Sequence, residues 1–83
     1  MSQRRFVHYV EGRGEALGEM LTAFLDALSE QTGLVDACLL ASPEQPGLWL
    51  VESRWANTLP TLSVPQGCKS WSFEVQRLVP GRR

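Results

Sequence analysis

Few side chains in this 83-residue chain could move a proton or hold an aromatic ring. His8 is the only histidine. It is the one side chain whose ordinary pKa lies near neutrality, which makes it the natural general base if there is one. Tyr9 follows it, but neighbouring strand residues point to opposite faces, so the two form no simple pair. In "GLWLVESRW", residues 47–55, Trp55 offers a flat ring against which an aromatic substrate could stack. Glu52 and Arg54 share a face there, as an ion pair or a polar patch. Each has a plainer reading too: His8 as a hydrogen-bonded sheet histidine, Trp55 as core or interface, and Glu52 with Arg54 as a solvated strand end.

The cysteines add little. Cys38 reads as a small hydrophobe in a sheet. Cys68, beside Lys69, is the better candidate for a reactive thiol, because a neighbouring ammonium favours thiolate; an incidental cysteine is the other reading. The two lack CxxC spacing, and a disulfide between them stays open. With one histidine, no metal site is expected. No Ser-His-Asp set, phosphate loop or paired-carboxylate site can be read from the spacing.

The elements that must position these residues follow from periodicity. Residues 4–10, "RRFVHYV", read as a strand ended by Gly12 and Gly14. Residues 15–32 carry Leu17, Met20, Leu21, Phe24, Leu25 and Leu28 at three- and four-residue steps, one apolar helical stripe, with Gly33 as the residue after the helix. Residues 34–41 and 48–56 read as two strands of a hairpin joined by "SPEQPG". In "NTLPTLSVPQG", residues 57–67, two prolines leave room for one helical turn at most. Residues 69–78 read as a fourth strand, with Trp71, Phe73 and Val75 on one face. The order is β-α-β-β-β, an α+β domain of one long helix on an antiparallel sheet, spanning residues 1–83.

Sorting each strand by alternation leaves three of the four apolar on both sides. Phe6, His8 and Val10 oppose Val7 and Tyr9; Val35, Ala37 and Leu39 oppose Cys38 and Leu40, with Asp36 the polar exception; Leu48 and Leu50 oppose Trp49, Val51 and Trp55. One helix of that length covers one side of a small sheet. Two wet aromatics would forgo roughly 8–12 kcal/mol, against a whole-domain stability of about 5–15 kcal/mol. The uncovered side is therefore expected to pack on a second copy, or else beneath the chain's own central loop.

The net charge of −1 argues against a nucleic-acid surface. The terminal arginines, Arg4–Arg5 and Arg82–Arg83, read as solvated tails. No apolar run is long enough for a signal peptide or a membrane span, so a soluble cytoplasmic protein is expected.

Residues 10–55, "VEGRGEALGEMLTAFLDALSEQTGLVDACLLASPEQPGLWLVESRW", resemble the antibiotic biosynthesis monooxygenase family. The matching features are Gly12, the helix from Glu15, Gly33–Leu34, the "SPEQPG" hairpin and the acidic residue before a tryptophan in "ESRW". The likeness extends over about residues 4–56. It implies a ferredoxin-like subunit whose sheet packs on its partner's, giving a dimeric α+β barrel with a pocket between sheet and helices. It further implies a family in which some members oxidise phenolic or quinol-type compounds with molecular oxygen and no cofactor, while others degrade haem. The chain departs from the pattern at three points. Glu52 lies three before the tryptophan rather than two. Val51 stands where cofactor-independent members carry an asparagine. No histidine follows His8, and the proline-rich segment replaces a second helix, which points away from haem degradation.

Two functions are compatible with this reading. One is a small monooxygenase-like protein that stacks a phenol on Trp55, with His8 or Tyr9 holding the phenolic proton and Trp49, Glu52, Arg54 and Phe24 lining the substrate. The other is a non-catalytic homodimer that binds a small apolar ligand or a protein partner.

Overall fold

The computed structural model describes residues 4–82. Four strands and one helix follow in the order β1 (Arg5–Arg13), α1 (Glu15–Leu28), β2 (Leu34–Ala41), β3 (Leu48–Ala56) and β4 (Lys69–Glu74). The strands form one antiparallel sheet in the order β2-β3-β1-β4. The domain is thus α+β, with one helix and a four-stranded sheet among the described residues.

Three element ends differ from the sequence reading. β1 does not stop at Gly12 but runs through it to Arg13. A side chain at Gly12 would press on Leu17 Cβ at 3.0 Å and Cys68 Sγ at 3.1 Å, so the glycine lets α1 and the Cys68 loop sit on the strand. The chain turns at Gly14 instead, whose φ of 93° suits glycine and whose N–H donates to the Gly47 carbonyl at 2.8 Å. α1 ends at Leu28, not at Thr32. The apolar stripe stops there, and the Ser29 hydroxyl donates to the Asp26 carbonyl at 2.8 Å, closing the last turn. β4 is also shorter, ending at Glu74 rather than continuing to residue 78.

The core lies between α1 and one side of the sheet. Val10, Leu21, Leu28, Val51 and Trp55 are buried there, with Phe6, Phe24, Ala37, Leu39 and Trp49 packed around them. Trp49 and Trp55 therefore face the chain's own helix, and Leu48 and Leu50 take the other side. Gly18 of α1 makes room for Trp49: a Cβ at that position would lie 2.7 Å from the indole nitrogen. Residues 57–68 form no helix, and Leu59, Leu62 and Val64 of this strap pack on the core. The central loop thus covers the helix side of the sheet.

The opposite side carries Val7 and Tyr9 from β1, Cys38 and Leu40 from β2, Leu48 and Leu50 from β3, and Trp71 and Phe73 from β4. Leu40, Trp71 and Phe73 are exposed. Val35 was grouped by alternation with Ala37 and Leu39. A β-bulge between Leu34 and Asp36 instead leaves it out of register and 49% exposed.

Candidate functional site

The candidate residues fall on two sides of the sheet. His8, Trp49, Trp55 and Phe24 lie on the helix side, while Tyr9, Glu52 and Arg54 lie on the open side. Alternation along β1 and β3 enforces the division, because residues one apart project in opposite directions.

On the helix side, Trp55 has no exposed surface. Its indole N–H donates to Ser53 Oγ at 2.8 Å, and that hydroxyl lies 3.5 Å from the His8 carbonyl. A substrate ring can stack on Trp55 only if α1 or the strap moves away. His8 sits between Ser53 of β3 and Ser72 of β4 in the sheet register. It is 8% exposed, and its Nδ1 is buried without a hydrogen-bond partner among the described residues. Burial holds the imidazole below its ordinary pKa, which favours the neutral ring. Phe24 borders a cavity of about 130 Å³ between α1 and the strap, with Leu28 and Leu62.

On the open side, two candidates converge on the carboxylate of a third. Tyr9 and Glu52 are direct cross-strand partners, and the phenol donates to Glu52 Oε2 at 2.8 Å. Arg54 donates to Glu52 Oε1 at 2.8 Å and to Asp36 Oδ1 at 2.6 Å. The Cys38 thiol lies 3.9 Å from the same Glu52 oxygen. Glu52 is the least exposed of the charged members, at 18%, and accepts from both neighbours as an ionised carboxylate would. The Tyr9 phenol is held above its ordinary pKa, first by its hydrogen bond to Glu52 and then by burial. Arg54 is held further in its charged form, chiefly by the bond to Asp36. Phe73 meets the Tyr9 ring edge-on, with centroids 6.0 Å apart. The arrangement can hold a proton-donating group against a fixed carboxylate and can clamp strands β1, β2 and β3 together on their open side.

Asp36 was visible in the sequence only as the polar exception in an apolar strand. Its role depends on the register of β2 against β3, which local pattern does not give. Ser53 carried no signal beyond its place between Val51 and Trp55 on the same side of β3. The Cys68 thiol is pushed up by burial, away from the thiolate that Lys69 suggested, and both cysteines are free. Among the described residues, no three His, Cys, Asp or Glu side chains gather as metal ligands, and no helix is long and apolar enough to cross a membrane.

No family model, curated protein or solved structure matches this chain.

Proposed function

We propose that the chain is a homodimeric binding module, two copies packed open face to open face, and that it holds a small ligand without turning it over. The observation that carries this is the open side of the sheet. Its apolar residues are covered by neither α1 nor the strap, both of which lie on the other side. The chain exposes 6291 Å², where a compact monomer of 9.3 kDa would expose about 5,000 Å². Residues 76–82, exposed and outside any element, contribute to that excess along with the open side. The radius of gyration, 13.6 Å, is likewise larger than the about 12 Å of a compact chain of this length.

The face also suits a copy of itself. Asp36 and Glu52 are bridged by Arg54, and Glu11 stands opposite Lys69 in register, so two such faces would meet without a uniform field of one sign. A twofold contact asks for that kind of self-complementary surface. The strand order, in which β1 and β2 flank β3 and are linked by α1, supports a ferredoxin-like subunit. A sheet-to-sheet pair of such subunits would be the dimeric α+β barrel that the resemblance to the antibiotic biosynthesis monooxygenases implies. The sealed positions of Trp55 and His8 support binding over catalysis.

Sedimentation equilibrium tests the association. Wild-type protein at micromolar concentration should run at twice the chain mass. Leu50→Lys should run as a folded monomer, since lysine can reach water from an open sheet but not from inside an interface. A folded wild-type monomer would remove the reading.

One observation favours a second function, oxygen-dependent turnover of a phenol. Glu52 already accepts a hydrogen bond from a phenol, that of Tyr9, and Arg54 steadies its other oxygen. A phenolic substrate displacing Tyr9 would meet a ready proton acceptor. Oxygen consumption with a panel of phenols and quinols decides it, with Glu52→Gln as the control.

A further inference from the structure

The start of β1 and the end of β4 lie side by side, because Phe6 pairs with Glu74 in register. This brings together arginines that are more than seventy residues apart in the sequence. A cleft of about 300 Å³ opens there, lined by Arg4, Arg5, Glu74, Gln76, Arg77 and Leu78. Its one carboxylate is already engaged: Arg4 Nε donates to Glu74 Oε2 and Nη2 to Oε1, both at 2.9 Å. Arg4 also lies over the Phe6 ring, 4.9 Å from its centroid, which fixes the guanidinium between an aromatic face and an acid. Arg5 and Arg77 have no carboxylate partner and make no side-chain hydrogen bond among the described residues. The cleft therefore carries two positive charges beyond its internal pair.

A second depression adjoins it. Its volume is about 120 Å³; Val7, Val35, Val75 and Leu78 supply its apolar wall, and Arg54 borders it, while Phe6 and Trp55, which also line it, turn their rings toward the helix-side core. Arg5, Val75 and Leu78 line both spaces, so the basic cleft and the apolar depression share a wall. Val75 is held there by its N–H, which donates to the Arg5 carbonyl at 2.8 Å. Val35 reaches the depression because the bulge in β2 turns it outward. Guanidinium forks beside a shallow apolar hollow match one ligand chemistry, an anionic head on a short hydrophobic body.

We infer that this end of the molecule binds a small amphiphilic carboxylate, an aryl or short acyl acid, with its carboxylate on Arg5 and Arg77 and its apolar part against Val7, Val75 and Leu78. An aryl ring suits the size of the depression, and a long acyl chain would overrun it. The inference rests on the binding-module reading and gives that module its ligand class. All the lining residues belong to one copy, although Val7 and Arg54 stand on the side of the sheet that the dimer reading gives to the partner.

Backbone amide NMR shifts of the full chain, titrated separately with phenylacetate, hexanoate, 2-phenylethanol and inorganic phosphate, test it. Phenylacetate or hexanoate should give saturable shifts at Arg5, Val75 and Leu78, and the neutral alcohol should bind at least about tenfold more weakly. The double variant Arg5→Gln with Arg77→Gln should lose about tenfold for the acids. Raising the salt should weaken the acids and leave the alcohol unchanged. Leu78→Ser should weaken the acids and not phosphate. Equal binding of acid and alcohol, an unaffected double variant, or shifts confined to other residues would overturn the inference. Phosphate binding as tightly as phenylacetate would overturn the apolar half of it. Sedimentation in the same buffer separates the two readings: a monomer that binds the acids removes the dimer alone, and a dimer that binds none removes this site alone.

Discussion

Replacing Ser53 by alanine removes one hydroxyl from the centre of the core and leaves the indole N–H of Trp55 facing apolar neighbours. Both residues are wholly buried, and their hydrogen bond is 2.8 Å long. An orphaned buried donor costs about 1–3 kcal/mol. The hydroxyl's other contact, to the His8 carbonyl at 3.5 Å, is at the limit of a hydrogen bond and adds little. A loss of about 2 kcal/mol in a domain of this size lowers Tm by roughly 8–16 °C. Trp55→Phe removes the donor together with part of the ring, so its cost comes from lost packing. In the double variant no donor is left without a partner, and the cost should be close to that of Trp55→Phe alone. The test is a double-mutant cycle by thermal and urea unfolding, with an expected coupling of about 1–2 kcal/mol. Simple additivity, or a Ser53→Ala variant within about 0.5 kcal/mol of wild type, would show that the Ser53–Trp55 bond does not hold the core as described.

Three further outcomes can be checked on the same material. Gly18→Ala would ordinarily stabilise a helix by about 0.5–1 kcal/mol. Here the new methyl meets Trp49 at 2.7 Å, so unfolding should show a loss of about 1–3 kcal/mol and a changed tryptophan near-UV signal; a gain would mean that Trp49 yields freely. Because burial depresses the His8 pKa from 6.5, the unfolded chain takes up the proton first. The contribution of His8 to stability is thus complete above the unfolded value and fades as pH falls through the folded one. Urea midpoints should drop on acidification below about pH 6.5, and the drop should shrink in His8→Gln; identical pH profiles would contradict the burial. Tyr9 is the only tyrosine, so phenolate absorbance reports it alone. Its pKa should lie above 10.0 and move down toward that value in Glu52→Gln, whereas no movement would mean that the carboxylate does not hold the phenol.

The elements were largely legible because apolar spacing follows the period of the structure. The stripe from Leu17 to Leu28 marked α1, and its last member marked the end of the helix better than Gly33 did. Gly33, with φ of 93°, serves the entry into β2. Alternation correctly opposed Trp49, Val51 and Trp55 to Leu48 and Leu50. It did not say which set meets the helix, because both are apolar and the choice depends on how the indoles fit beside Gly18 and beneath the strap. The site was less legible than the fold. Glu52 with Arg54 was readable from their shared face. Asp36 and Tyr9 joined them only through strand register, which pairs residues 18 and 43 positions away from their partners. The meeting of Arg5 with Arg77 is longer-range still. No local pattern encodes it: in the sequence Arg5 reads as part of a solvated tail and Arg77 as part of the fourth strand.

β4 depends on β1 alone: α1 packs on β1, β2 and β3, and all six residues of β4 are exposed. The strand can therefore peel from the sheet without disturbing Val51, Leu21 or Trp55. This gives the molecule a seam between a three-stranded, helix-backed body and one detachable ribbon, and such parts open at different free energies. When the ribbon lifts, the edge of β1 is bared beside the two arginines nearest its start. That edge is a row of unsatisfied amides and carbonyls on which another extended chain could be laid down.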